Sequence, residues 1–159
     1  MLNTTLCYIE KDGKYLMLNR NKKTNDLNEG KWIGIGGKFM PGETPDECLK
    51  REVLEETGLK LESYYLHGII HFRSDVEDEE MYLYTATIAD DSVLTDCDEG
   101  TLAWIEKDRI FDLPLWEGDK YFLEKLLAGE KEIEMTLEYI EGKLIKYINH
   151  KDSYGHKRN

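Results

Sequence analysis

The chain has 159 residues, 40% of them hydrophobic and 34% charged, and carries a net charge of −12 at pH 7. That length suits one domain able to bury roughly two-thirds of its unfolded surface, and the acidity argues against a sequence-independent grip on nucleic acid, which needs a basic face. No apolar run approaches the ~20 residues of a bilayer-spanning helix, and the N-terminus lacks the basic start and apolar core of a secretory signal. Cys7, Cys48 and Cys97 are odd in number, far apart and without metal-type spacing, so they read as thiols of a reducing, cytoplasmic compartment.

In chain order, apolar-rich runs at 4–10 and 14–19 flank Lys11-Asp12-Gly13, a turn signal that predicts a hairpin. Residues 20–31 are polar and read as a loop, and 32–38 as a short strand that ends in Gly36-Gly37. A helix opens at Thr44-Pro45-Asp46-Glu47, which joins a capping box to a proline at the first helical position. Gly58 supplies its left-handed stop. Residues 64–72 and 81–89 predict two strands around the acidic tip 75–80, which reads as a solvated hairpin end, and 101–106 predicts a further strand. A second helix over 117–128 shows Tyr121, Phe122, Leu123, Leu126 and Leu127 as an apolar stripe. Runs at 133–139 and 143–148 around Glu141-Gly142 predict a closing hairpin. These elements imply an α+β domain of α/β/α layers over residues 1–149, with a polar, frayed tail at 150–159.

The chemistry is concentrated in the first helix. Glu52, Glu55 and Glu56 stand three and four residues apart, so all three carboxylates crowd one face. Like charges at those spacings cost a few tenths of a kcal/mol per pair. A hard divalent cation on that face offsets the cost, and one turn can offer it several oxygens. An acidic protein that binds a phosphate ester must also do so through a metal ion and local basic groups.

The stretch from Gly37 to Leu59 reads Gly-x5-Glu-x7-Arg-Glu-U-x-Glu-Glu-x-Gly-U, with U apolar, and matches at all nine defined positions. This is the Nudix box, and the chain resembles the Nudix hydrolases. The resemblance implies a Nudix fold: a mixed central sheet, the loop–helix–loop of the box, and a C-terminal helix with a hairpin. It implies Mg²⁺, or Mn²⁺, held by Glu52, Glu55 and Glu56 with help from the Gly36 carbonyl, while Gly36 and Gly37 let the backbone approach the metal and the phosphates. It implies that Arg51 and Glu43 form an orienting pair and that Glu99, in the loop before Trp104, aligns with a family carboxylate that binds metal or acts as base. The general base is then Glu52, with Glu99 as the competing assignment. Arg20, Lys22, Lys23 and Lys38 are the basic residues available to the phosphates of a small-molecule nucleotide, and the resemblance suggests that a triphosphate is cut to monophosphate and pyrophosphate.

Outside the box the chain is similar to the MutT-like branch, which removes oxidised purine nucleotides, 8-oxo-dGTP above all. Trp32-Ile33-Gly34-Ile35-Gly36-Gly37-Lys38 resembles that branch's lead-in, and Leu115-Trp116-Glu117-Gly118-Asp119 resembles its Trp-Pro-Asp-Asp segment. By position, Trp116 would stack on the base and Asp119 would hydrogen-bond it. The chain departs from the pattern twice: Ile33 stands where an Asn contacts the base, and Gly118 replaces the first acid. The same box serves enzymes for other nucleoside triphosphates, dinucleoside polyphosphates or nucleotide sugars. Nudix modules that only sense a nucleotide commonly lose box carboxylates, and none is missing here. The sequence leaves the oligomeric state open.

Overall fold

The computed structural model describes residues 1–22, 30–89, 92 and 94–150. In chain order the elements are β1 (Leu2–Lys11), β2 (Lys14–Asn19), β3 (Trp32–Ile33), α1 (Pro45–Thr57), β4 (Leu61–Ser74), β5 (Glu79–Ile88), β6 (Thr101–Glu106), a 3-10 helix (Lys107–Asp112), α2 (Asp119–Leu127), β7 (Met135–Ile140) and β8 (Lys143–Asn149). The strands form one mixed sheet in the order β3-β2-β1-β5-β4-β7-β8, with β6 paired to β2. The β1–β5 and β4–β7 pairs are parallel, and the remaining pairs are antiparallel.

Both expected hairpins close through two-residue loops. Asp12-Gly13 and Glu141-Gly142 all have φ between 51° and 77°, the left-handed pair whose twist matches that of the flanking strands. The expected strand over 32–38 is shorter than its pattern suggests. Regular pairing stops at Ile33, and the chain then makes isolated bridges to β1, Ile35 to Cys7 and Lys38 to Thr4. A Cβ on Gly36 would lie 1.9 Å from the Thr5 carbonyl oxygen, so this close approach to β1 requires glycine.

The core divides by sheet face. One cluster joins α2, through Phe122, Leu123 and Leu126, to Tyr8, Tyr15, Met81, Leu83, Leu137 and Tyr139. The other joins α1, through Leu49 and Val53, to Cys7, Ile9, Leu16, Ile35 and Tyr84. The helices therefore cover opposite faces, which is the expected layering. Helix α1 is fastened at both ends by the features read from its sequence. Thr44 Oγ1 accepts from the Glu47 N–H while Glu47 accepts from the Thr44 N–H, and Gly58 closes the helix at φ 73°. Leu49 and Val53 are fully buried, each contributing about 1.5–3 kcal/mol. That anchorage holds a helix whose buried face also includes Glu56.

The 3-10 helix at Lys107–Asp112 had no clear pattern in the sequence, and α2 starts two residues later than expected because Gly118 serves as its N-cap. His150, the first residue of the expected frayed tail, is held against the sheet, its N–H donating to the Glu134 carbonyl. The rest of that tail lies outside the described residues. No helix among the described residues is long and apolar enough to cross a membrane.

Candidate active site

Helix α1 projects its carboxylates towards the turn that follows β3. Arg51 sits between them as a hub. Its Nε and Nη2 grip both Glu43 oxygens at 2.7 and 2.9 Å, Nη1 donates to Glu52 at 2.8 Å and Glu55 at 3.2 Å, and Nη2 also donates to the Lys38 carbonyl at 3.0 Å. This two-pronged geometry is specific to a guanidinium. Glu43 in turn accepts the Met40 N–H, and the Arg51 contacts hold its carboxyl down at about 2. Glu43 and Arg51 thus tie the loop to the helix.

Glu56 is only 6% exposed. Its Oε1 accepts the Gly36 N–H at 3.0 Å, whereas its buried Oε2 has no hydrogen-bond donor among the described residues. Burial, the neighbouring Glu99 carboxyl and the Glu52 charge push its pKa up to about 9. Glu52 is half-buried; burial raises it first and the charges of Glu55 and Glu99 add to the rise, against the pull of Arg51. A Cβ on Gly37 would lie 2.7 Å from the Glu52 carboxylate. Here glycine leaves room for the end of a flexible acid side chain. Glu55 is the outlier, with a 56% exposed side chain paired to Arg51.

Glu99 arrives from the loop before β6, and Arg20 Nη1 lies 3.5 Å from its Oε2. The Glu52, Glu56 and Glu99 carboxyls thus lie near enough to perturb one another, though not on one point, with Glu55 at the rim. Glu56 Oε2 is buried without a donor among the described residues, and an all-oxygen set of this kind fits a hard divalent cation. Such an ion would lower all their pKa values at once. Glu52, Glu56 and Glu99 would hold it, and Glu55 could reach it only from the outer edge.

The expected phosphate ligands disperse. Arg20 pairs with Glu99, and Lys22 donates to the Cys97 carbonyl at 2.7 Å. Lys38 is exposed, its backbone held by Arg51, and Lys23 lies outside the described residues.

Trp116 and Asp119 lie on the α2 side of the sheet. The Trp116 ring meets Tyr139 edge-on at 5.8 Å, and Lys31 Nζ sits 4.9 Å from its centroid. Asp119 opens α2, is 6% exposed, and has a pKa raised by burial, then by the Glu79 charge, to about 8. Trp32, Phe72 and Trp116 pack on the same cluster as Tyr8, Met81 and Tyr139. Ile33 does not join them. It pairs with Leu18 and packs on the α1 side, because consecutive strand residues face opposite ways. The place of the missing first acid also has a physical account: a Cβ on Gly118 would lie 2.6 Å from Tyr139 Oη, which accepts the Gly118 N–H at 2.7 Å. Tyr8, Lys31 and Tyr139 were not singled out from the sequence, since each meets the Trp116 region only through pairing across the sheet or along a distant loop.

The model of the NUDIX domain matches residues 2–126. The chain is 28% identical over 149 residues, 90% of each chain, to the uncharacterised Nudix hydrolase YvcI of Bacillus subtilis. It is 32% identical over 111 residues to the oxidized purine nucleoside triphosphate hydrolase of Mus musculus, covering 69% of this chain and 70% of that one. The crystal structure of a mutator MutT protein from Bacillus halodurans superposes with a TM-score of 0.83 at 27% identity, over 94% of this chain and 97% of that one. With the complete box on α1 and carboxylates gathered beneath it, the chain belongs to the Nudix family, as a MutT-like hydrolase.

Proposed function

We propose that the protein is a Mg²⁺-dependent nucleoside triphosphate pyrophosphohydrolase whose preferred substrates are oxidised purine nucleotides, 8-oxo-dGTP above all, released as the monophosphate and pyrophosphate. The observation that carries the purine reading is the aromatic cluster of Trp32, Trp116 and Tyr139 beside the buried carboxyl of Asp119. Trp32 and Trp116 each stay partly exposed, and a base laid on one such ring gains about 1–3 kcal/mol by stacking. Asp119, kept protonated near neutrality by its burial, can donate to a base oxygen or nitrogen as well as accept from a ring N–H, whereas an ionised acid only accepts. The Mus musculus relative's name supports this choice.

At the other end of the substrate, Glu52 takes the proton of the attacking water, with Glu99 as the competing base. Arg51 fixes the Glu52 carboxylate through Oε1, leaving the second oxygen for that proton. Glu56 is oriented by the Gly36 N–H, and the exposed Lys38 would meet the phosphate chain. When bound, Mg²⁺ or Mn²⁺ would screen the phosphate charge from this acidic surface and stabilise the leaving pyrophosphate.

A second reading, a pyrophosphatase of other nucleotides, draws support from Ile33 and Gly118, which offer the base no side-chain hydrogen bond. A kcat/KM panel of unmodified and oxidised nucleoside triphosphates with Mg²⁺ separates the two, since specificity is a ratio between competitors. The first reading expects 8-oxo-dGTP to exceed dGTP severalfold or more, with pyrophosphate as product. Equal or reversed values would favour the second.

A further inference from the structure

A separate group of ionisable side chains lies on the sheet, away from the Nudix helix in sequence and built from other strands. The register aligns His71 on β4 with Glu80 on β5 and with Thr136 on β7. Glu134 lies two residues before Thr136, and His150 lies two after Ile148, the β8 partner of Thr136. With side chains alternating along each strand, all of these share one face. The result is a convergence on one oxygen. His71 Nε2 lies 2.8 Å and His150 Nδ1 3.5 Å from Glu134 Oε2, and the three ligand atoms all fall within 4.8 Å of one another. Each imidazole's remaining nitrogen is held from outside: His71 Nδ1 by an ion pair with Glu80, and His150 Nε2 by Thr136 Oγ1 at 2.7 Å. Glu80 is itself braced by Arg73 at 3.0 Å. The two rings stack at 5.2 Å, 12° from parallel.

We propose that His71, His150 and Glu134 form a second cation site, for a borderline transition-metal ion such as Zn²⁺, with Glu80 and Thr136 orienting the two imidazoles. Two ligands at tetrahedral Zn²⁺ distances lie about 3.4 Å apart, and the two measured separations from Glu134 Oε2 bracket that value. One carboxylate oxygen can accept from two imidazoles, so convergence alone does not set the cluster apart; the outer partner on each imidazole's other nitrogen does. Outer hydrogen bonds that fix each imidazole's tautomer are the usual support of metal-bound histidine. Two imidazoles and one carboxylate select against Mg²⁺ and Ca²⁺, so this site and the oxygen-only face of α1 would take different ions. A metal here joins the end of β8 to β4 and β7, so it would be a structural fastening of the C-terminal hairpin.

The test is calorimetric titration of Zn²⁺ into the tag-free full chain in excess Mg²⁺, with the ring resonances of His71 and His150 followed by NMR. The expected result is one Zn²⁺ per chain that shifts both rings and raises Tm. His71→Ala and His150→Ala should abolish that binding, and Thr136→Val should weaken it about 10–100-fold. His150→Ala should leave Mg²⁺-dependent hydrolysis unchanged, which shows that the variant is folded. Absence of Zn²⁺ uptake, unmoved histidine resonances, or wild-type affinity in both alanine variants would overturn the proposal.

Discussion

The carboxylate face of α1 and the aromatic cluster around Trp116 are assembled in contrasting ways. The first is local: Glu43, Arg51, Glu52, Glu55 and Glu56 lie within one loop and helix, and only Gly36, Gly37 and Glu99 come from elsewhere. The second is composite, drawing Tyr8 from β1, Trp32 from β3, Trp116 from the segment before α2, Asp119 from its first turn, and Tyr139 from β7. A local motif keeps its geometry through helical periodicity. A composite pocket depends on sheet register and on which face each strand residue takes. On the proposed function, phosphate chemistry would be held by the rigid local part, and nucleotide choice would fall to the part where a few side-chain changes redraw the surface.

Breaking the local part should have the largest effect. Glu56→Gln removes a charge at the centre of the acidic cluster, and pyrophosphate release with Mg²⁺ should fall by roughly 10²–10⁴-fold, a range typical of losing one catalytic charge. Circular dichroism should stay unchanged, because the amide still accepts from the Gly36 N–H. Arg51→Lys comes next. A lysine cannot reproduce the paired grip on Glu43 or also reach Glu52 and the Lys38 carbonyl, so kcat should drop about 10–100-fold, as for loss of an orienting partner.

The composite part should respond in KM. Trp116→Ala should raise KM for purine nucleotides by about tenfold, equivalent to the lower part of the ~1–3 kcal/mol for stacking on one base, with kcat largely retained. Steady-state kinetics on the best substrate would check this, and an unchanged KM would remove Trp116 from the pocket. Asp119 adds a pH signature. Its pKa is raised in the folded chain to about 8 from 3.8, so the folded state binds the proton more tightly than the unfolded one. The stability this contributes is fully present below pH ~4 and is lost as pH rises towards 8, at about 1.4 kcal/mol per pH unit. Asp119→Asn should flatten that slope in denaturant titrations between pH 5 and 8. The smallest effect belongs to Ile33→Val: about 0.5–1.5 kcal/mol of stability and no change in preference between nucleotides, because Ile33 packs on the α1 side.

The same contrast explains what was legible in the sequence. Helix α1 was readable end to end because the Thr44 capping box, Pro45 and Gly58 are local signals, and the box spacing led directly to Arg51 and its carboxylates. Both hairpin turns were readable for the same reason. The pairing of β1 with β5 and of β4 with β7 was not, since parallel neighbours far apart in sequence leave no turn signal. Ile33 illustrates the cost: a positional resemblance placed it at the base, whereas strand alternation turned Trp32 towards Trp116 and Ile33 away. The His71–Glu134–His150 cluster leaves no motif spacing, because its members come from β4, the residue before β7 and the residue after β8.

The division of labour between the two regions can be measured directly as the ratio of kcat/KM for 8-oxo-dGTP to that for dGTP in wild type, Glu56→Gln and Asp119→Ala. A ratio well above one is expected in wild type, the same ratio at a far lower rate in Glu56→Gln, and a fall towards one in Asp119→Ala, which loses the carboxyl proposed to hydrogen-bond the base. A ratio that changes with Glu56→Gln and survives Asp119→Ala would overturn that division.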